Sequence, residues 1–127
     1  MITADTIRRH FVKISNGDIT LYHKEGTVYG NPIQITNVYC EFDRKALIEK
    51  YGINTRYRGL IILDGLKPYV SCECIPVPEG YFTIAPGDKI VNTLTSDVLR
   101  SGMSTYSVED VAEYVRDGLL SVEVTLG

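Results

Sequence analysis

Along much of this chain, apolar and polar residues alternate in steps of two, the period of a strand with one face inward. From Asp18 to His23, Ile19, Leu21 and His23 take one face while Asp18, Thr20 and Tyr22 take the other. From Ile33 to Asp43 the alternation begins with Ile33, Ile35 and Asn37, then slips its phase near Asn37. One extra residue in a bending strand produces such a slip, so a β-bulge is expected there. Gly59 to Gly65 (GLIILDG) holds a continuous apolar run, the pattern of a strand buried on both faces. Its second face is expected to lie against a helix or another subunit. Further strands are predicted at Tyr69 to Ile75, around Tyr81 to Ile84, and at Lys89 to Val91. The closing strand spans Leu120 to Leu126, with Leu120, Val122, Val124 and Leu126 on one side. Ser104 to Gly118 reads either way: Val108, Val111, Ala112 and Val115 have helical spacing, yet Tyr106, Val108 and Asp110 alternate as a strand would. The strand is favoured, making a C-terminal hairpin through the turn at Asp117-Gly118.

Between these runs lie turn signals: Ser15 to Asp18 (SNGD), Lys24 to Pro32 (KEGTVYGNP), a stiff loop at Pro76, Pro78 and Gly80, and Pro86-Gly87. Thr95 to Asp97 is expected to cap one helical turn through Arg100, stopped by Gly102. Residues 1–13 read as an N-terminal arm or helical turn, with Ile7 and Phe11 on one side. Six to eight short strands separated by Gly, Pro and Asn turns predict a mainly β fold, a small antiparallel barrel or sandwich in one domain spanning 1–127. Apolar strands such as Leu60–Leu63 and Leu120–Leu126 are expected to offer edges that a ring of copies would pair or cover.

One long insertion interrupts the strands at Arg44–Arg58 (RKALIEKYGINTRYR). It carries five of the thirteen basic residues, Arg44, Lys45, Lys50, Arg56 and Arg58, against one acid, Glu49. It is far longer than a hairpin loop. Its first half predicts a short helix: Asp43 as N-cap, apolar Ala46, Leu47, Ile48 and Tyr51, Lys50 in the last turn and Gly52 as the stop. Two readings stand here, a functional projection or a helix covering one end of a barrel.

The net charge of −3 argues against a general nucleic-acid coat but leaves a locally basic face open. No apolar run is long enough to span a membrane, and the first residues lack a secretory core, so a cytoplasmic chain is expected. Three cysteines without a secretory signal predict reduced thiols: Cys40, with Cys72 and Cys74 two apart on one strand face, as buried apolar side chains. No second ligand pair accompanies them, and no metal or cofactor site is expected. No catalytic motif surrounds His10 or His23, and Glu41, Asp43 and Glu73 read as solvated acids, so no catalytic residue is assigned. Nine tyrosines without a tryptophan suit an assembly surface instead.

The order of segments ITLYHKEG, ITNVYCEFD, a basic insertion, RGLIILDG, a Pro-rich loop, GDKIV, MSTYSVEDV and VEVTLG resembles the head-closure (stopper) proteins of long-tailed bacteriophages, often called minor capsid proteins. The likeness covers about Ile19 to Gly127. It departs at Ser121-Val122, where such proteins often place an aromatic or histidine pair. The resemblance implies a homo-oligomeric ring, dodecameric in such families, in the virion neck. Portal and adaptor proteins would lie on its head side, and a tail-side connector or tail-terminator protein below. It also implies that the insertion gates the DNA channel through Arg44, Lys45, Lys50, Tyr51, Asn54, Arg56, Tyr57 and Arg58, touching packaged double-stranded DNA. A tail-terminator ring and a single-stranded nucleic-acid module, in which Tyr51, Arg56, Tyr57 and Arg58 would stack and bind, are the alternatives.

Overall fold

The computed structural model describes residues 15–73, 76–115 and 119–127. The expected N-terminal arm, Cys74 and the Asp117-Gly118 turn lie outside the described residues. The elements run β1 (Gly17–Tyr22), β2 (Lys24–Glu25), β3 (Val28–Tyr29), β4 (Ile33–Glu41), α1 (Arg44–Tyr51), β5 (Gly59–Asp64), β6 (Lys89–Val91), β7 (Tyr106–Val115) and β8 (Leu119–Leu126). Six strands close an antiparallel barrel in the order β1-β4-β5-β8-β7-β6, with β6 paired back to β1. β2 and β3 form a separate small hairpin.

Inward-facing residues of the alternating runs fill the barrel. Ile19 and Leu21 of β1, Ile61 and Leu63 of β5, and Val122, Val124 and Leu126 of β8 are all fully buried in one cluster with Ile84, Ile90 and Val108. At roughly 1.5–3 kcal/mol for each fully buried aliphatic side chain, this cluster is the main source of stability. Within Ser104–Gly118, readable as helix or strand, Tyr106–Val115 forms β7, paired with β8 from Val108 to Val115. The β-branched and aromatic residues of Tyr106–Val111 suit that pleated partner.

The phase slip in β4 is a bulge. Gly17 pairs with Val38 but Ile19 with Ile35, so β4 carries one extra residue. Asn37 takes φ +56, a left-handed conformation that Asn tolerates better than most residues. Its N–H donates to Asp18 Oδ1 at 3.0 Å. Ile35 can therefore point inward from one side of the bulge and Val38 and Cys40 from the other.

Several expectations are corrected. Ser15–Asp18 is not a turn: Gly17 opens β1, and the Asn16 amide extends its ladder. Asn16 Nδ2 donates to Cys40 O at 2.9 Å, and Cys40 N donates to Asn16 Oδ1 at 2.7 Å. Tyr69–Glu73, the described part of the expected strand Tyr69–Ile75, is not a strand, and neither is its neighbour Tyr81–Ile84. Tyr69 makes one parallel bridge to Phe82, and the chain turns at Cys72-Glu73, in a stretch flanked by Pro68, Pro76 and Pro78. Thr95–Arg100 forms no helical turn. It is held extended over β1, where Thr20 Oγ1 donates to Thr93 O and accepts from Thr95 N, and Tyr22 Oη donates to Asp97 O. These bonds satisfy the polar outer face of β1, so Thr20 and Tyr22 are fully buried. Lastly, Leu60–Leu63 and the final strand offer no edge, because β5 lies between β4 and β8, and β8 between β5 and β7.

Candidate functional site: the Arg44–Arg58 insertion

The insertion begins as its sequence dictates. Asp43 has extended backbone angles, and its side chain accepts from Ala46 N at 3.3 Å, capping α1. Gly52, at φ +100, ends the helix and donates from its N–H to Ile48 O at 2.8 Å. A second glycine sets the return into the barrel. A Cβ at Gly59 would come within 2.6 Å of the Phe42 ring, so this approach needs glycine.

Residues 44–51 and 57–58 lie over the outer faces of β5, β7 and β8. On β5 the outward positions are Leu60 and Ile62, which pair across the sheet with Thr125 and Glu123. Tyr51 Oη donates to Glu123 Oε1 at 2.6 Å, and Lys50 Nζ lies 3.5 Å from the same oxygen. Tyr57 Oη donates to Asp110 Oδ2 of β7 at 2.6 Å. The Tyr51 and Tyr57 rings meet edge-to-face at 4.9 Å. Arg58 N donates to Leu126 O at 2.7 Å, and its guanidinium lies 5.3 Å from the centre of the Tyr106 ring. Leu47, one helical turn before Tyr51, is 1% exposed and Leu60 only 3%, although neither belongs to the barrel's core cluster. On the outward face of β5, Leu60 is buried and Ile62 half-buried, and the bonds to Glu123, the cross-strand neighbour of Ile62, set the insertion beside that face.

These contacts hold the tyrosines in their neutral form. Burial and the hydrogen bond to Glu123 raise the Tyr51 pKa well above that of a free phenol. The bond to Asp110 raises that of Tyr57. A third pair of this kind joins Tyr69 Oη to Glu113 Oε1 of β7, again with the phenol's pKa raised, by burial first. The carboxylate halves of these pairs, Glu123, Asp110 and Glu113, are site residues that the linear sequence did not single out. Only Glu123 carries a local signal, an acid between the apolar Val122 and Val124 of β8; Asp110 and Glu113 are three residues apart in a polar stretch of β7.

Of the eight residues expected to form the gate, the structure gathers Lys50, Tyr51, Tyr57 and Arg58 on the barrel wall. Arg44 is exposed, and its guanidinium donates to Tyr57 O at 3.2 Å, tying the start of the insertion to its end. Lys45, Asn54 and Arg56 are exposed, with no side-chain partner among the described residues. Between the two anchored flanks, Gly52, Ile53, Asn54 and Arg56 form an exposed tip, with Ile53 77% accessible. Among the described residues, Lys50 alone of the five cations meets a carboxylate, so Arg44, Lys45, Arg56 and Arg58 carry uncompensated positive charge on a chain of net negative charge.

The remaining titratable groups serve the fold. Asp88, 1% exposed, lies 2.9 Å from His23 Nδ1 and accepts from Lys24 N and Ala85 N, clipping β1 to the turn before β6. Glu41 accepts from Asp43 N beside the helix cap. Cys40 is buried against Gly17, and burial pushes its thiol up to about 11. Cys72, expected to be buried, is exposed because its segment turns instead of entering the sheet. Among the described residues no group of three His, Cys, Asp or Glu side chains converges as metal ligands.

Comparison with protein-family models, curated proteins and solved structures finds no match to this chain. The likeness to head-closure proteins therefore rests on the segment order quoted above.

Proposed function

We propose that this chain is a structural component of a phage head–tail connector, a ring-forming head-closure protein whose basic insertion tip faces the DNA channel. The observation that carries the proposal is the division of labour within the insertion. Its flanks are tied to β7 and β8 through Tyr51–Glu123 and Tyr57–Asp110, while Gly52–Arg56 stands exposed with Arg56 unpaired among the described residues. A rigidly mounted basic tip suits a gate, which must hold its position under load yet meet phosphates or a neighbour's acids. Support also comes from the order of segments along the sequence.

The same geometry weighs against the single-stranded nucleic-acid reading. Tyr51 and Tyr57 spend their hydroxyls on carboxylates and their rings on each other, so they offer no free pair of stacking faces. The acids at their tips would also repel a phosphate backbone.

The test is where the chain sits in the particle. Separated heads and tails from a phage carrying it are probed for the protein by mass spectrometry. Recovery with portal-bearing, DNA-filled heads supports the proposal. Recovery with free tails would assign it to the tail terminator, and absence from both would end the connector reading.

A further inference from the structure

The barrel wall has one incomplete stretch. β4 pairs with β1 at Ile33–Ile35 and Val38, but with β5 only at Tyr39–Glu41. In an antiparallel ladder alternate residues turn their N–H and C=O groups to opposite sides. The β5-side groups of Ile33–Thr36 thus have no ladder partner among the described residues. Facing that edge is the bridged segment of Pro68, Tyr81 and Phe82, and between them lie two adjoining hollows of about 490 and 320 Å³. Prolines 32 and 68 and the Phe82 ring give this groove apolar walls, and Tyr81 stands half-exposed beside it. Thr83, 4% exposed, also lines it, and its hydroxyl is the one buried side-chain polar atom without a hydrogen-bond partner among the described residues. An open strand edge beside an apolar groove with an unsatisfied hydroxyl suits an added β-strand.

We propose that this groove receives, as an extended strand, the N-terminal segment 1–14 of a second copy of this chain. Charge favours that occupant. Residues 1–14 carry three of the thirteen basic side chains, Arg8, Arg9 and Lys13, but only one of the sixteen acids, Asp5. The rest of the chain is therefore more acidic than the whole, and Glu25 and Glu79 line one end of the groove. Phe11 and Val12 supply apolar side chains next to the cations. The path of the chain favours a second copy over its own groove. Asn16 N donates to Val38 O and the Asn16 side chain is bonded to Cys40, at the far end of β4 from Ile33. The chain therefore enters the barrel away from its own groove and on the opposite, β1 side of the strand. Exchange of this segment links copies through backbone hydrogen bonds.

The test is NMR on the ¹⁵N-labelled full chain, titrated at low salt with a synthetic peptide of residues 1–14. Saturable shifts confined to Ile33–Thr36 and Tyr81–Thr83 are expected. A scrambled peptide, or the doubly substituted chain E25K/E79K, should bind at least about tenfold more weakly, since complementary charge and register set the fit. Both acids are on the surface, so an otherwise unchanged spectrum establishes that the variant folds. No shift up to millimolar peptide, shifts scattered over the barrel, or equal binding of the scrambled peptide would overturn the proposal. Groove amides already protected at the lowest dilution and insensitive to peptide would place the chain's own segment there and overturn the second-copy assignment. The measurement needs no virion, so its outcome is separate from that of the connector proposal.

Discussion

At Asn37 a single residue sets the path of β4. Its left-handed backbone lets β4 shift register while both halves keep facing the core. A β-branched residue there pays a steric penalty that asparagine largely avoids, so Asn37→Val should cost about 1–2 kcal/mol in urea unfolding. Asn37→Gly should be close to neutral. The tyrosine–carboxylate pairs make a second prediction. Tyr51, Tyr57 and Tyr69 have folded pKa values above their unfolded value of 10.0. Their contribution is fully present below pH 10 and is lost as pH climbs from there toward their folded values. A spectrophotometric titration should show Tyr51, Tyr57 and Tyr69 ionising only together with unfolding. All nine tyrosines ionising reversibly before unfolding would contradict the pairs. Cysteine chemistry follows burial in the same way: under native conditions an alkylating reagent should modify Cys72 well before Cys40.

At the scale of elements, the insertion is part lid and part projection. Leu47 is buried and Tyr51 is bonded to β8, so Leu47→Ala should cost about 2–4 kcal/mol, as core truncations do. Replacing Ile53–Arg56 with Gly-Ser should cost less than about 1 kcal/mol, because the tip makes few contacts with the barrel. Extending that replacement to Tyr57 would remove the Asp110 anchor and add to the cost. Much of this was legible in the sequence. The Asp43 cap, the Gly52 stop, the Leu60–Leu63 strand and the Asn37 slip are local patterns, and each appears where local rules put it, although Ile62 on the outward face of that strand is only half-buried. The path of Thr93–Arg100 was not legible. Its two threonines, Ser96 and Asp97 suit a helix cap as well as a strap, and only the Thr20 and Tyr22 hydroxyls decide between them. The pairing of Tyr51 with Glu123 spans 72 residues, and no short-range pattern encodes such a partner. Tyr69–Ile75 failed for a related reason: strand-forming residues need a neighbour, and beyond the Tyr69–Phe82 bridge none is paired with them.

For the whole molecule, barrel closure changes what assembly must use. β5 and β8 are paired on both sides, and among the described residues the β4 groove is the open edge of the barrel. On the connector proposal, a chain whose barrel is closed in this way should be mostly monomeric at micromolar concentration and form a ring only on a head-side partner. Light scattering that finds a closed ring of the pure protein at that concentration would contradict this conditional assembly. The central claim is that a folded, ring-competent barrel mounts the Gly52–Arg56 tip where it retains DNA. The most direct measurement is the DNA content of heads assembled with the Ile53–Arg56 replacement, after confirming that the altered protein is folded and incorporated. The account expects heads that carry the protein yet lose their DNA; heads that stay full and infectious would contradict it.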